Sequence, residues 1–234
     1  MAYTLCQKMK YAFTLGLMSL MLFACSMIYP SVQWLLIWSA LSFGSVALGY
    51  AGLGTRVFGK GLDGRISLPL KILNLPYLAY TSLVWHLCRL LSREPAFNVI
   101  DDDLVIGRRL LAREAPEGFD HYVDLTAEFD EPAPIRDRLG YRCLPILDAS
   151  VPSFEELNGA VEETATGRAF VHCAQGHGRT GLFALALLLR RGNVNSIDEG
   201  LLVLKSLRPA VILNQEQTKF AHRYLKTKAQ QAAS

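Results

Sequence analysis

The sequence predicts an α/β domain with a central sheet flanked by helices, preceded by an N-terminal transmembrane helical hairpin. The segment Tyr11–Thr55 contains no Asp, Glu, Lys, Arg or His, whereas charges are spread through the chain from Ser92 onward. After residue 98, short apolar runs alternate with helical patterns. Strands that alternate with helices form a sheet covered by helices on both faces. The chain therefore divides into a membrane part and a water-soluble part.

The uncharged segment is long enough for two spans, because a spanning helix needs roughly 20 apolar residues. Pro30-Ser31 lies near its middle, so we predict a hairpin over residues 1–56 with spans at about 11–29 and 32–55. Basic residues lie at both outer ends of this hairpin and none lies in its turn; they are Lys8, Lys10, Arg56, Lys60, Arg65 and Lys71. This distribution predicts that both ends, and the soluble domain, face the cytoplasm.

A secretion signal is the alternative for the first span. Leu22-Phe23-Ala24-Cys25 loosely resembles a lipoprotein cleavage box, which would place the soluble domain outside the cytoplasm. Phe23 is unusual in such a box, and a second apolar segment follows at once. The hairpin is therefore the preferred interpretation.

Residues 57–97 form a predicted juxtamembrane segment. Within it, polar residues recur at helical spacing after Pro76, which indicates an amphipathic helix over Ile72–Arg93 lying in the membrane surface. The alternative is a third span, which would move the soluble domain to the opposite side of the membrane.

The predicted soluble domain covers residues 98–228, and a frayed tail is expected at 229–234. Two capping boxes, which begin at Ser153 and Ser196, mark helix starts. The predicted strands are Leu104–Ile106, Tyr122–Leu125, Tyr141–Leu147 and Ala169–His172. The predicted helices cover about residues 153–166, 180–191, 196–207 and 214–227.

Composition excludes several classes of function. The net charge is only +3 and no basic run occurs, so no nucleic-acid partner is expected. The five cysteines are scattered and form no CxxC pair, which predicts neither a disulfide framework nor a zinc site. Free thiols fit a reducing compartment.

One segment, Ala169–Gly181, carries the chemistry. An apolar strand ends at His172, a glycine-containing loop follows, and a helix begins near Thr180. Such a loop at a helix N-terminus binds anions through converging backbone N–H groups and the helix dipole. The residues expected to form this phosphate-binding loop are His172, Ala174, Gln175, Gly176, His177 and Gly178.

Cys173 lies at the start of this loop, where the same amides would stabilise a thiolate. A thiolate there can attack phosphorus and form a cysteinyl-phosphate. The guanidinium of Arg179 can bind two phosphate oxygens, and the hydroxyl of Thr180 can assist departure of the sulfur. The two glycines Gly176 and Gly178 let the backbone curl inward.

These residues match the H-C-x5-R-[S/T] signature, so the chain resembles the protein tyrosine and dual-specificity phosphatase superfamily. The resemblance covers about residues 98–228 and implies a dual-specificity-phosphatase-like fold and phosphomonoester hydrolysis without metal or cofactor. It also implies an upstream aspartate as general acid. Asp148 matches best, since Pro145 precedes it by a few residues. Asp124, inside a strand, and Asp130, in a proline-rich loop, are its rivals.

The substrate class stays open at this level. A phosphorylated protein is one candidate, and a phospholipid with a phosphorylated head group, such as phosphatidylglycerophosphate or a phosphoinositide, is the other. The basic juxtamembrane residues favour a substrate in the bilayer plane, whereas a loop without lysine disfavours a multiply phosphorylated inositol. His177 could meet a second anionic group or face solvent, and Cys143 is either an inert buried thiol or a redox partner of the nucleophile.

Overall fold

The computed structural model describes residues 2–232, which fold into two compact units. The first unit contains the chain up to Gly61, together with Arg65–Ser92 and Ala127–Asp130. The second contains Leu62–Gly64, Arg93–Thr126 and the chain from Glu131 onward. The helices are α1 Ala2–Ile28, α2 Gln33–Leu48, α3 Leu68–Leu91, α4 Ala133–Arg136, α5 Phe154–Glu163, α6 Gly178–Arg191, α7 Ile197–Leu207 and α8 Gln215–Ala232. The strands are β1 Phe97–Asp101, β2 Leu104–Arg108, β3 His121–Thr126, β4 Tyr141–Ile146 and β5 Ala169–Cys173.

In the first unit, α1 and α2 form a helical hairpin that turns at Pro30. Small residues let the two helices approach closely: Ser19 Oγ donates to the carbonyl of Ala40 over 2.7 Å, and a Cβ on Gly44 would lie 3.0 Å from that hydroxyl. By length and composition, the segments Lys8–Ile28 and Pro30–Val57 could each cross a membrane.

The second apolar segment is not one continuous α-helix as predicted. Regular α-helix ends at Leu48, a π-type turn covers Gly49–Leu53, and Gly52 adopts a φ of 154°. The side chain of Val57 returns to the helix end, where a Cβ on Gly49 would lie 2.9 Å from it. Glycine lets the chain fold back there because it tolerates positive φ and close backbone contact.

Helix α3 begins before the predicted start at Ile72 and runs through Pro76 without interruption. Proline has no N–H for the carbonyl four residues earlier, which here belongs to Ile72. Trp38 Nε1 donates to that carbonyl over 3.0 Å, and the N–H of Tyr77 donates to Ser42 Oγ over 3.1 Å. Side chains of α2 therefore supply the hydrogen bonds that the proline disrupts.

Most apolar side chains of α3 are exposed rather than buried. Asn74, Leu78 and Trp85 form its buried face, and Asn74 donates to the carbonyl of Val57 over 2.8 Å. The exposed apolar side chains are Leu68, Ile72, Leu75, Tyr80, Leu83, Val84, Leu87, Leu90 and Leu91. Exposed apolar helix faces of this kind are typical of surfaces that contact lipid or another molecule.

The second unit is built on a five-stranded sheet of order β1-β2-β5-β3-β4. Strand β5 lies at its centre, parallel to β2 and β3, and all five of its residues are buried. Side chains alternate across a strand, so Ala169, Val171 and Cys173 pack with α6 while Phe170 joins an aromatic cluster on the other face. This α/β fold confirms the predicted fold class.

The remaining differences from the predicted elements are local. Strand β1 was not predicted; it is a short antiparallel edge strand after Pro95 with an irregular register near Asp101. The predicted capping box of Ser153 and Glu156 is present at the start of α5. In the second predicted box, the Glu199 side chain accepts from the backbone N–H of Asn195 and not from that of Ser196. Helix α8 continues to Ala232 where a frayed tail was expected, and the last two residues lie outside the described part.

Candidate functional site

The predicted phosphate-binding loop lies at the carboxyl end of β5, the side on which ligands bind in open α/β sheets. Cys173 is the last residue of β5, and α6 begins at Gly178. The backbone N–H of Gly176 donates to Cys173 Sγ over 3.3 Å, and the cysteine is 4% exposed. The loop therefore directs a main-chain donor at the sulfur.

Gly176 is required by the shape of this loop. Its φ is 76°, and a Cβ there would lie 2.4 Å from backbone atoms of Gly107 on β2. Any other residue would both strain the backbone and clash with the neighbouring strand. Gly178 is also tightly packed, since its Cβ would lie 2.9 Å from Gln217 Oε1.

Arg179 and Asp148 lie together at this edge of the sheet. Arg179 is buried, donates from Nη1 to the carbonyl of Ile146 over 2.8 Å, and places Nη2 3.2 Å from Asp148 Oδ1. The Asp148 side chain is 66% exposed. A buried guanidinium with an exposed carboxylate beside it can exchange that carboxylate for phosphate oxygens when a ligand enters.

The loop that carries Asp148 is held by the start of α8. Asn214 Nδ2 donates to the carbonyl of Ala149 over 2.8 Å, and Gln217 Nε2 donates to that of Ser150 over 3.3 Å. Ala149 adopts a left-handed φ of 55°, which costs a non-glycine residue conformational energy. Both amides therefore stabilise a strained loop conformation.

The two rival aspartates have other surroundings. Asp124 is fully buried and accepts from the hydroxyls of Thr126, over 2.7 Å, and Tyr141, over 2.9 Å. Asp130, in the first unit, accepts from the N–H of Ile66 and pairs with Lys71. Of the three candidates, Asp148 is the one that the structure shows beside the guanidinium of the loop arginine.

His172 lies in a polar cluster on the sheet face opposite α6. Its Nε2 lies 3.9 Å from Asp124 Oδ1 and 3.9 Å from Glu131 Oε1. Within the described part of the chain, this trio alone has the spacing of metal ligands. However, Thr126 and Tyr141 donate to Asp124, and Arg109 Nε lies 3.1 Å from Glu131 Oε2. These donors favour a hydrogen-bond network over a metal site.

Burial and the nearby Asp124 carboxylate raise the pKa of Tyr141. Burial, Glu131 and Asp124 raise the pKa of Tyr122 in the same way, and the Tyr122 ring packs 5.2 Å from the ring of His172. Both phenols therefore stay protonated in the folded chain, so Tyr141 can donate its hydrogen bond to Asp124 at any physiological pH.

The other residues predicted for the loop have the following surroundings. Thr180 is fully buried, and its hydroxyl has no hydrogen-bond partner in the described part of the chain. Ala174 accepts from the N–H of Arg109 over 3.2 Å, which ties the loop to the end of β2. His177 does not simply face solvent, because its Nε2 lies 2.8 Å from Glu94 Oε2.

The sequence did not predict that Arg208 holds the phosphate-binding loop through its backbone carbonyls. Arg208 is 2% exposed and donates over 3.0 Å to each of the loop carbonyls of Gln175 and Gly176. It also donates to the carbonyl of Pro95 and to Asn98. An arginine before a proline gave no sign of this role, because its partners are distant in sequence.

Neither a family model nor a curated protein sequence matches this chain. Solved structures match it by fold. Human DUSP28 is 18% identical with a TM-score of 0.50, covering 58% of this chain and 97% of its own. PTPMT1 in complex with PI(5)P is 17% identical with a TM-score of 0.52, covering 59% and 99%. Tk-PTP in its active form is 26% identical with a TM-score of 0.49, covering 57% and 95%.

The chain has the dual-specificity phosphatase fold. The matches cover nearly the whole of DUSP28 and PTPMT1 but less than two thirds of this chain. At identities below one fifth, the likeness establishes the fold, and the chemistry has to be argued from the side chains.

Proposed function

We propose that this protein is a membrane-anchored phosphatase that hydrolyses phosphomonoesters through a cysteinyl-phosphate intermediate on Cys173. The observation that carries the proposal is the loop amide of Gly176 directed at Cys173 Sγ, at a helix N-terminus, in a chain with the dual-specificity phosphatase fold. A backbone donor and a helix dipole stabilise both a thiolate and a bound phosphate.

The positions of the side chains support the following reaction. The Cys173 thiolate attacks phosphorus, and the bond to the leaving oxygen breaks as Asp148 gives that oxygen a proton. Arg179 binds two equatorial oxygens of the phosphate in place of Asp148. The carboxyl group that Arg179 releases then lies next to the leaving group. Water then attacks the cysteinyl-phosphate, Asp148 takes its proton, and the Thr180 hydroxyl donates to the departing sulfur.

The first substrate class is a phosphorylated protein, on tyrosine or on both tyrosine and serine or threonine. The loop residues Ala174 and His177 offer no lysine, and His177 is already paired with Glu94. This pairing disfavours multiply phosphorylated substrates and fits a single phosphoester.

A phospholipid with one phosphate on its head group is the second class. It is supported by α1 and α2, whose apolar segments are long enough to span a bilayer; only 11% of the first span is buried within the chain. Such exposed apolar helices favour a bilayer environment. Basic residues at both outer ends of the hairpin favour a cytoplasmic catalytic domain.

The test uses the full chain reconstituted in vesicles, assayed with a phosphotyrosine peptide and with phosphatidylglycerophosphate or a phosphoinositide in the same bilayer. We expect hydrolysis that is lost in Cys173→Ser. Lipid turnover exceeding peptide turnover by orders of magnitude would replace the first substrate class by the second. Activity that survives in Cys173→Ser would exclude the mechanism.

A further inference from the structure

Glu94 lies at the edge of the phosphate-binding loop. Its Oε2 is 2.8 Å from Nε2 of His177, and the side chains of both residues are one-third exposed. His177 lies in the middle of the loop, so the Glu94 carboxylate lies beside the backbone that is proposed to bind phosphate. No sequence pattern identifies Glu94, which lies just before the first strand of the second unit.

The Glu94 carboxylate is held in position rather than free to swing away. Arg208 Nη2 lies 3.4 Å from the same oxygen, and Arg208 also donates to the carbonyl of Pro95, the next residue. The guanidinium is buried and bonds the loop carbonyls of Gln175 and Gly176. Glu94 is therefore part of the same rigid network as the loop.

We propose that Glu94 is a specificity-determining residue that discriminates against substrates carrying a second phosphate beside the one being cleaved; this inference rests on the phosphatase function proposed above. The carboxylate occupies the ring nitrogen of His177 that would otherwise contact a second anion. It also repels that anion, and a unit charge a few ångströms away in partly solvated surroundings changes binding by about tenfold.

The test compares pairs of substrates that differ only in the second phosphate. One arm uses short-chain phosphatidylinositol with one phosphate or with two adjacent phosphates. The other arm uses a peptide with one phosphotyrosine or with two adjacent ones. The readout is the ratio of kcat/KM for the doubly phosphorylated member to that for the single one, measured on the full chain in detergent micelles. The two arms show whether the second phosphate is discriminated on lipids, on peptides or on both.

Two substitutions should move this ratio in opposite directions. Glu94→Gln keeps an oxygen acceptor for Arg208 but removes the charge and releases His177, so the ratio should rise about tenfold. His177→Gln removes the imidazole and leaves Glu94 paired with Arg208 alone, so the ratio should fall. Asp198→Asn is the charge-matched control, since Asp198 is exposed in the first turn of α7, and its ratio should equal that of the unmodified chain.

The outcomes separate this inference from the proposed function. If Glu94→Gln lowers kcat/KM for both members of a pair equally, or if His177→Gln and Glu94→Gln move the ratio in the same direction, the inference is wrong. Both results are compatible with phosphatase activity that depends on Cys173. If the unmodified chain hydrolyses neither single phosphoester, or if Cys173→Ser retains activity, the proposed function is wrong.

Discussion

At the scale of single residues, Asp148 and Arg179 form the contact on which the proposed acid catalysis depends. Asp148 is exposed and lies 3.2 Å from the guanidinium, so it can reach a leaving-group oxygen once phosphate binds the arginine. Asp124, buried beneath hydrogen bonds from Thr126 and Tyr141, cannot. The two carboxylates should therefore respond differently to removal of their charge.

Asp148→Asn should lower kcat/KM, which reports only the steps up to cleavage of the ester, by about 10²–10⁴-fold for a phosphotyrosine peptide, the typical contribution of a general acid. The loss should be much smaller for p-nitrophenyl phosphate, because its leaving group needs little protonation. Steady-state kinetics with both substrates measures the difference. Equal losses for the two substrates would contradict the acid role of Asp148.

Thr180 tests the second chemical step. Thr180→Ala removes a buried hydroxyl that we expect to donate to the departing sulfur, and a hydrogen bond to a charged group contributes about 1.5–3 kcal/mol, or roughly 10–100-fold in rate. The variant should show a burst of p-nitrophenol followed by slow turnover, while Thr180→Ser should turn over normally. Slow turnover without a burst would place the Thr180 effect before cleavage of the ester.

At the scale of elements, the strands β3 and β4 share a polar contact within the sheet. Tyr141 of β4 donates to Asp124 of β3, and both residues are buried. Burial and Asp124 raise the pKa of Tyr141 above its ordinary value. The folded chain therefore keeps this proton at a pH where the unfolded chain releases it.

A group whose pKa is raised by folding stabilises the fold below its unfolded pKa, about 10 for tyrosine, and loses that contribution as the pH rises further. The urea concentration that halves the activity should therefore decrease as the pH rises from 9 to about 11. Tyr141→Phe should be less stable at pH 8 by about 1–3 kcal/mol, because Asp124 loses a donor. It should also show a weaker alkaline decline; a decline as steep as in the unmodified chain would contradict this account of Tyr141.

Local sequence patterns predict some of these helices and strands but not the contacts between distant segments. The strand, loop and helix around Cys173 follow from a continuous pattern, and the capping box at Ser153 marks α5 correctly. The predicted helix over Ile72–Arg93 does run through Pro76, but its hydrogen bonding there could not be predicted, because Trp38 of another helix donates to the carbonyl that Pro76 leaves without a partner. For the same reason the contacts of Arg208 with the loop could not be predicted, since its partners, from Pro95 to Gly176, become neighbours only in the folded chain.

At the scale of the whole molecule, the apolar hairpin predicts a stable membrane anchor. Two segments long enough to span a bilayer should hold the full chain in the membrane fraction after alkaline carbonate extraction. A protease added to right-side-out vesicles should cleave a C-terminal tag only after permeabilisation, as the basic residues at both ends of the hairpin predict. Cleavage in intact vesicles would reverse the proposed orientation.

Trapping the covalent intermediate on Cys173 tests the proposed mechanism without relying on steady-state rates. Full-length protein is mixed with a phosphorylated substrate, quenched in acid within milliseconds, digested and analysed by mass spectrometry. We predict one phosphoryl group on the peptide that contains Cys173, with more of it in Thr180→Ala and none in Cys173→Ser. A phosphoryl group on another residue, or hydrolysis without any phosphorylated cysteine in Thr180→Ala, would contradict the mechanism.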